Sequence, residues 1–329
     1  LTTSGTAIFL PFRACEVFQP KGVYYGLNAT TNRMILADRK TLKCPNGVVL
    51  GTPGSGKSFS CKREAADVYL HTTDDLLFLD PENEYTSLCQ QLSGQVIRLA
   101  PDSHDYINPL DVDLTTNTGE NPLLMKADFI MSFCELILSA AQGGLKPIEK
   151  SVIDRCIPKI YRQLIKDPRP ENMPILGDLY EILAASPETK RLANILNRLV
   201  NGSARSFNQQ TNVALDNKYI VLDISELTGD LLTVGMFVAL DFVWDKAKEN
   251  RTAEKAIFVD ECWQLIGASS NRQAAESVLE LAKTIRGYGG SLVCATQDLN
   301  DFFALDDGKY GKGIINNSKT KILLNLEEE

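Results

Sequence analysis

VVLGTPGSGKS, running from Val48 to Ser58, decides how this chain is read. Gly51 to Ser58 fits the spacing G-x-x-x-x-G-K-[ST]. An apolar run precedes it and the helical pattern KSFSCKREAADVYL follows it. Phosphate binding needs that order. Gly51, Gly54 and Gly56 let the backbone curl until several N–H groups point inward at phosphate oxygens, and Thr52, Pro53 and Ser55 complete the loop. The positive end of the following helix, beginning Lys57, Ser58, Phe59, adds to the same field. The Lys57 ammonium is expected on the β and γ phosphates, and the Ser58 hydroxyl on Mg²⁺. Four fixed positions arise by accident in roughly one chain of this length in a hundred, and the strand-then-helix context makes accident rarer still. The expectation is a site for ATP and Mg²⁺ over Gly51 to Phe59.

A phosphate loop does not hydrolyse nucleotide alone; it needs an acid beside the metal and a group that orients water. AIFVD, Ala256 to Asp260, is an apolar strand ending in an acid, and Glu261 follows. Asp260 is expected to hold the metal and Glu261 to polarise the attacking water. An acid after a strand can equally cap the next turn. Asp80, which also ends an apolar strand, is the second choice, and Asp223, inside its strand, a weaker one. Gln297 directly follows the strand SLVCAT, where its amide could sense the γ phosphate or remain a turn residue. Arg286 ends a helical pattern before GYGG. It either satisfies the helix dipole or reaches a neighbouring subunit's phosphate as an arginine finger.

Outward from the loop, strands alternate with helical stretches. TAIFLPF from Thr6, GVYYGLN from Gly22 and RMILADR from Arg33 come first. LLFLD ends at Asp80 and QVIRLA near Ala100. This is the rhythm of an α/β fold with a mostly parallel sheet flanked by helices. From Pro122 to about Thr211 it gives way to helix patterns: LLMKADFIMSFCELILSAA, IEKSVIDRCIPKIYRQLI, LGDLYEILAAS and ETKRLANILNRLV. About 90 residues exceed one crossover. The expected division is therefore a core of 1–121 and 212–329 with an all-helical inserted subdomain at 122–211. YIVLDIS from Tyr219, a helix from about Leu231 to Asn250, AIFVD, a helix from about Asn271 to Arg286, SLVCAT and KILLNL resume the alternation.

Composition narrows the class. The 329 residues are 44% hydrophobic and 23% charged, as in globular proteins. Lys and Arg total 34 against 42 Asp and Glu, so the net charge of −8 disfavours broad nucleic-acid binding while leaving room for a local basic groove. Eight cysteines without CxxC spacing and only two histidines give no zinc pattern and read as buried thiols of a reducing compartment. No apolar run reaches the ~20 residues that cross a bilayer. The chain begins at Leu1, so a longer parent protein is expected, with any membrane anchor in its other parts. LSGQ at Leu92 to Gln95 is one glycine short of a transporter signature and stands in the wrong place. No NKxD follows the strands, which argues against a guanine-specific enzyme. Tyr24, Tyr25 and Tyr288 could stack on a base, though aromatics beside strands usually pack.

Taken together, the segments resemble, in order and over nearly the whole chain, the C-terminal ATPase domain of the VirB-four family (TraC and TrbE types) of conjugative and type IV secretion systems, among the HerA/FtsK-like P-loop ATPases. GLNATT (Gly26 to Thr31), DPENEY (Asp80 to Tyr85), YINPLD (Tyr106 to Asp111), IFVDECW (Ile257 to Trp263) and ATQDL carry the resemblance beyond the generic loop. Gly287 stands where the family often has a second basic residue after the arginine. The resemblance implies a RecA-like core with a helical insert. It further implies a cytoplasmic, ATP-hydrolysing motor peripheral to the bacterial inner membrane, acting as a homo-oligomer such as a hexamer, beside other secretion subunits. A DNA-translocating ATPase of the coupling-protein or HerA type, with DNA as partner, shares these features and is the alternative.

Overall fold

Residue alternation along LLFLD shows how the layers form. In the computed structural model, which describes residues 16–114, 121–267, 272–297 and 299–326, this segment is strand β4, Asp75–Asp80. Leu76 and Phe78 join one apolar cluster, Leu77 and Leu79 another on the opposite face, as the two-residue period of a strand requires. Both faces are covered, so the strand reads as a continuous apolar run.

Seven strands form the main sheet: β3 (Gly47–Leu50), β4, β5 (Gln95–Arg98), β6 (Tyr219–Asp223), β7 (Lys255–Val259), β8 (Gly290–Thr296) and β9 (Thr320–Leu323). Their order is β5-β6-β4-β7-β8-β3-β9 and every pairing is parallel. The expected α/β class holds. GVYYGLN and RMILADR pair instead with each other, as the antiparallel ribbon β1 (Val23–Leu27) and β2 (Met34–Ala37) outside the sheet. The strand expected at TAIFLPF and the terminal EEE lie outside the described residues.

One face of the sheet carries α1 (Lys57–His71) and α2 (Thr86–Gln91), whose Cys61, Ala65, Val68 and Cys89 pack on Val49, Phe78 and Val293. The short α2 has no counterpart in the sequence reading. The other face carries α3 (Pro122–Gln142), α4 (Pro147–Ile160), α5 (Arg162–Lys166), α6 (Leu176–Ala185), α7 (Lys190–Val200), α8 (Asp230–Glu249), α9 (Trp263–Ile266) and α10 (Arg272–Thr284). The sheet's last crossover adds α11 (Leu299–Phe302) and α12 (Lys309–Asn316).

Local chemistry sets the helix ends. Asn121 caps α3 by accepting from Leu123 N–H at 3.0 Å, Pro122 fills the first turn, and Gly143 ends it in the left-handed region. IEKSVIDRCIPKIYRQLI is two helices, not one. Pro158 removes a helical donor, and the buried Tyr161 between α4 and α5 points its hydroxyl at Leu110 O, 2.5 Å away.

The whole helical stretch is inserted between neighbours, since the chain leaves β5 after Arg98 and returns as β6, which pairs with β5 through Gln95↔Ile220. No strand lies between residues 122 and 218 among the described residues. Ile130, Phe133, Ile153, Leu176 and Leu196 of these helices belong to the same apolar cluster as Leu77 and Leu79.

Candidate nucleotide site

Sheet order decides which loops meet. β7, β8 and β3 lie side by side and run the same way. The residues after Val259, Thr296 and Leu50 therefore emerge at one carboxyl edge, the place where open α/β sheets bind ligands. Gly51 N–H donates to Thr296 O at 3.3 Å and Thr52 N–H to Asn325 O at 3.0 Å, which ties the phosphate loop to the ends of β8 and β9.

The loop is shaped for an anion. Gly54 (φ 76) and Gly56 (φ 93) occupy the left-handed region, where side chains are strained, and open space lies beyond both. A Cβ on Gly51 would stand 2.3 Å from Ser55 Oγ and 2.9 Å from Leu324 Cβ. The first N–H groups of α1 have no intrahelical acceptor, and Gly56 supplies no capping side chain. Ser55 Oγ is buried without a hydrogen-bond partner. A cradle of free donors at a helix N-terminus fits the phosphates of a nucleotide, and the hard oxygens of Ser58 and Asp260 suit Mg²⁺. Phe59, the next residue, is 71% exposed.

Asp260 and Glu261 come from the far end of the chain. Asp260 is the first residue past β7, its N–H donating to Leu79 O at 3.2 Å, and Cys262 N–H donates to Ala295 O at 3.0 Å. This turn is thus pinned to β4 on one side and β8 on the other. Glu261 adopts φ 46, unusual for a residue with a side chain. Strand alternation alone would point the two acids apart; the left-handed step turns both into the crevice. Lys57 Nζ lies 3.0 Å from Asp260 Oδ1 and is bonded to Glu261 Oε1, and all three residues are buried. Asp260 Oδ2 accepts the Tyr85 hydroxyl at 2.9 Å, and Glu261 Oε2 accepts Trp263 Nε1–H at 2.5 Å.

Burial pushes the Glu261 carboxyl above its usual range, helped by the Asp260 charge and only partly opposed by Lys57 and Trp263. Burial works against the Lys57 ammonium, but Asp260 and Glu261 outweigh it and hold the lysine charged. The Glu82 carboxyl is also raised, chiefly by burial. It feels the Lys57 charge as a lowering influence and Asp260 as a raising one, so Glu82 shares their field.

Gln297 directly follows β8, between the phosphate loop and the acids. Arg286 is not brought to the site of its own chain. It sits in a 3-10 turn (Ile285–Tyr288) before β8 and donates to Lys43 O. The seven residues of β8 separate it from the cradle by roughly 20 Å at ~3.3 Å per residue. Asp80 organises its loop: Oδ1 accepts Glu84 N–H at 3.0 Å and Oδ2 accepts Tyr85 N–H at 2.8 Å. Asp223 closes a turn onto Ser225. Tyr25 meets Arg39, Tyr24 lies under Arg63, and Tyr288 packs edge-on against Trp244. The sequence reading gave no role to Tyr85, Glu82 or Trp263. Their signal was their position in DPENEY and DECW, each at the end of an apolar strand.

Known proteins share this fold. VirB4 of Thermoanaerobacter pseudethanolicus superposes with a TM-score of 0.85 at 26% identity, over 95% of this chain and 87% of that one. Plasmid coupling protein TrwB, in complex with ADP and Mg²⁺, superposes with a TM-score of 0.54 over 98% of this chain and 77% of that one; at 14% identity it shares the fold alone. The fold is that of RecA-like P-loop proteins. Protein TraC of Escherichia coli (strain K12) is 22% identical over 303 residues, taking in 85% of this chain but only 32% of TraC. These matches bear out the VirB-four and TraC resemblance read from DPENEY, NPLD and ATQDL. The TraG P-loop domain profile matches residues 34–328, and the chain belongs to that family.

Proposed function

We propose that this chain is the ATP-hydrolysing motor domain of a conjugative type IV secretion system, powering pilus assembly or the transfer of DNA or protein. One observation carries the catalytic part: the lysine of the phosphate loop is buried against two adjacent carboxylates that follow β7, two strands over from β3 and some 200 residues later. The likeness to VirB4 and TraC supports the transport part.

Bound ATP would supply the phosphoryl group, and Mg²⁺ charge to offset its oxygens. The loop from Gly51 to Ser58 holds the phosphates through its backbone N–H groups, with Phe59 beside it. Ser58 and Asp260 would hold the cation, and the Tyr85 hydroxyl donates to Asp260 Oδ2 and fixes that carboxylate. Lys57 moves from the acids to the phosphates, which frees Glu261 Oε1 to take a proton from water. Gln297 reports the nucleotide state to β8. Arg286 acts, in this reading, on a neighbouring subunit of a homo-oligomer such as a hexamer. Helices 122–211 form an inserted subdomain. Partners are other subunits of the secretion machine at the cytoplasmic face of the inner membrane. Among the described residues no helix is long and apolar enough to cross a membrane.

Lys57→Ala abolishes tight ATP binding in equilibrium dialysis. Glu261→Gln keeps ATP and loses ~10²-fold or more in kcat. Full turnover by Glu261→Gln moves the base role to another acid, Glu82 first. Strong stimulation by DNA that fades with rising salt redirects the reading to a DNA translocase.

A further inference from the structure

We infer that Trp263 is a positioning residue for Glu261. Its indole N–H fixes one carboxylate oxygen so that the other faces the reacting water after Lys57 has left. The inference rests on the hydrolytic reading of Glu261. The two oxygens of this buried side chain are held separately, Oε1 by Lys57 and Oε2 by Trp263 Nε1 at 2.5 Å. On the hydrolytic reading Lys57 turns from Glu261 to the phosphates, so nucleotide binding removes one of the two restraints. A glutamate has three rotatable bonds, and with neither restraint it would lose its aim at some cost in entropy. The indole restraint survives because its own placement does not depend on Lys57. Gln264 N–H donates to Glu261 O at 2.9 Å, Leu265 N–H to Cys262 O at 3.0 Å and Gly267 N–H to Trp263 O at 2.5 Å, which builds α9 as one rigid turn on the acid's own backbone. Leu265 and Ile266 anchor that turn in the core. Trp263 has one donor and no acceptor, so the contact has a single sense: it stabilises the ionised acid and cannot take the proton itself.

The chain has two tryptophans, and Trp244 stands on α8 against Tyr288, away from the site. Trp244→Phe therefore leaves Trp263 as the sole indole reporter. In that background, without nucleotide, the emission maximum should move on Glu261→Gln, because the charged acceptor on the indole nitrogen becomes neutral. It should move again in the Glu261 protein when ADP with Mg²⁺ draws Lys57 away. Trp263→Phe, which keeps an aromatic ring and loses the donor, should lower kcat about tenfold while ADP affinity stays within about twofold. Emission indifferent to Glu261→Gln overturns the inference. So does Trp263→Phe with undiminished kcat, or with its whole loss in ADP affinity. If Glu261→Gln itself turns over fully, the hydrolytic reading falls first. If Glu261→Gln is inactive while Trp263→Phe is fully active, only the positioning role falls.

Discussion

At the scale of single residues, charge and burial are set against each other around the site. Asp80 is fully buried, and its carboxyl is pushed up to about 6, mainly by burial and further by Asp223 and Asp260, against two backbone N–H groups that favour its charge. A raised acid destabilises the folded state once ionised. Between the unfolded value near 4 and the folded value of about 6 the native protein binds the extra proton, so stability falls as pH rises through that window. The shift of about two units corresponds to ~3 kcal/mol at most. Urea denaturation at pH 4, 5 and 6 should show a shallower fall for Asp80→Asn than for the parent chain. Equal slopes would mean that Asp80 does not carry the titration. The sequence named Asp80 as a second-choice catalytic acid. Its hydrogen bonds instead make it the clamp of the DPENEY loop, and thereby the support of Tyr85 on Asp260.

Elements add constraints that no residue carries alone. The phosphate loop is held at its start by β8 and β9 and at its end by α1. Among the loop's glycines only Gly51 is crowded by side chains, so Gly51→Ala must displace Ser55 and Leu324. That substitution should cut ATP affinity by more than about tenfold while leaving the far-UV spectrum unchanged, because the clash lies in a loop and not in a strand. ATP titration of folded Gly51→Ala with parental affinity would show that the loop relaxes freely. The left-handed step at Glu261 works at the same scale. It costs about 1–2 kcal/mol, offset by the turn's bonds to Leu79 and Ala295.

Over the whole molecule, the helices of 122–211 and the sheet share one apolar cluster. Calorimetry and far-UV circular dichroism should therefore give a single coincident unfolding transition. Two separated transitions would mean that the insert folds apart from the sheet. Arg286 lies at the edge of the sheet opposite the cradle, so it can act on nucleotide only across a subunit boundary. On the proposed finger role, Lys57→Ala and Arg286→Ala should each be inactive, and mixing them should restore part of the ATPase rate, because some interfaces would join an intact loop to an intact arginine. No recovery in mixtures shown to assemble together would remove the finger role.

How much was legible beforehand follows from the range of each interaction. The phosphate loop, its lysine and the helix behind it depend on neighbours in sequence, and GTPGSGKS specified them alone. The parallel sheet followed from strand and helix periods, because burial on both faces writes itself into apolar runs. β1 and β2 read as strands but gave no sign that they pair with each other outside the main sheet, since register and partner are set by contacts outside the run. The split at Tyr161 needed the position of Leu110, and the role of Tyr85 needed Asp260, 175 residues away in the chain. Asp80 and Trp263 bond to near neighbours, but through loop conformations that no sequence period encodes. Local spacing thus determined that nucleotide phosphates have a seat here. Only the tertiary structure decided which carboxylates face that seat and that Arg286 does not, because β8 lies between β3 and β7 and no sequence period encodes that order.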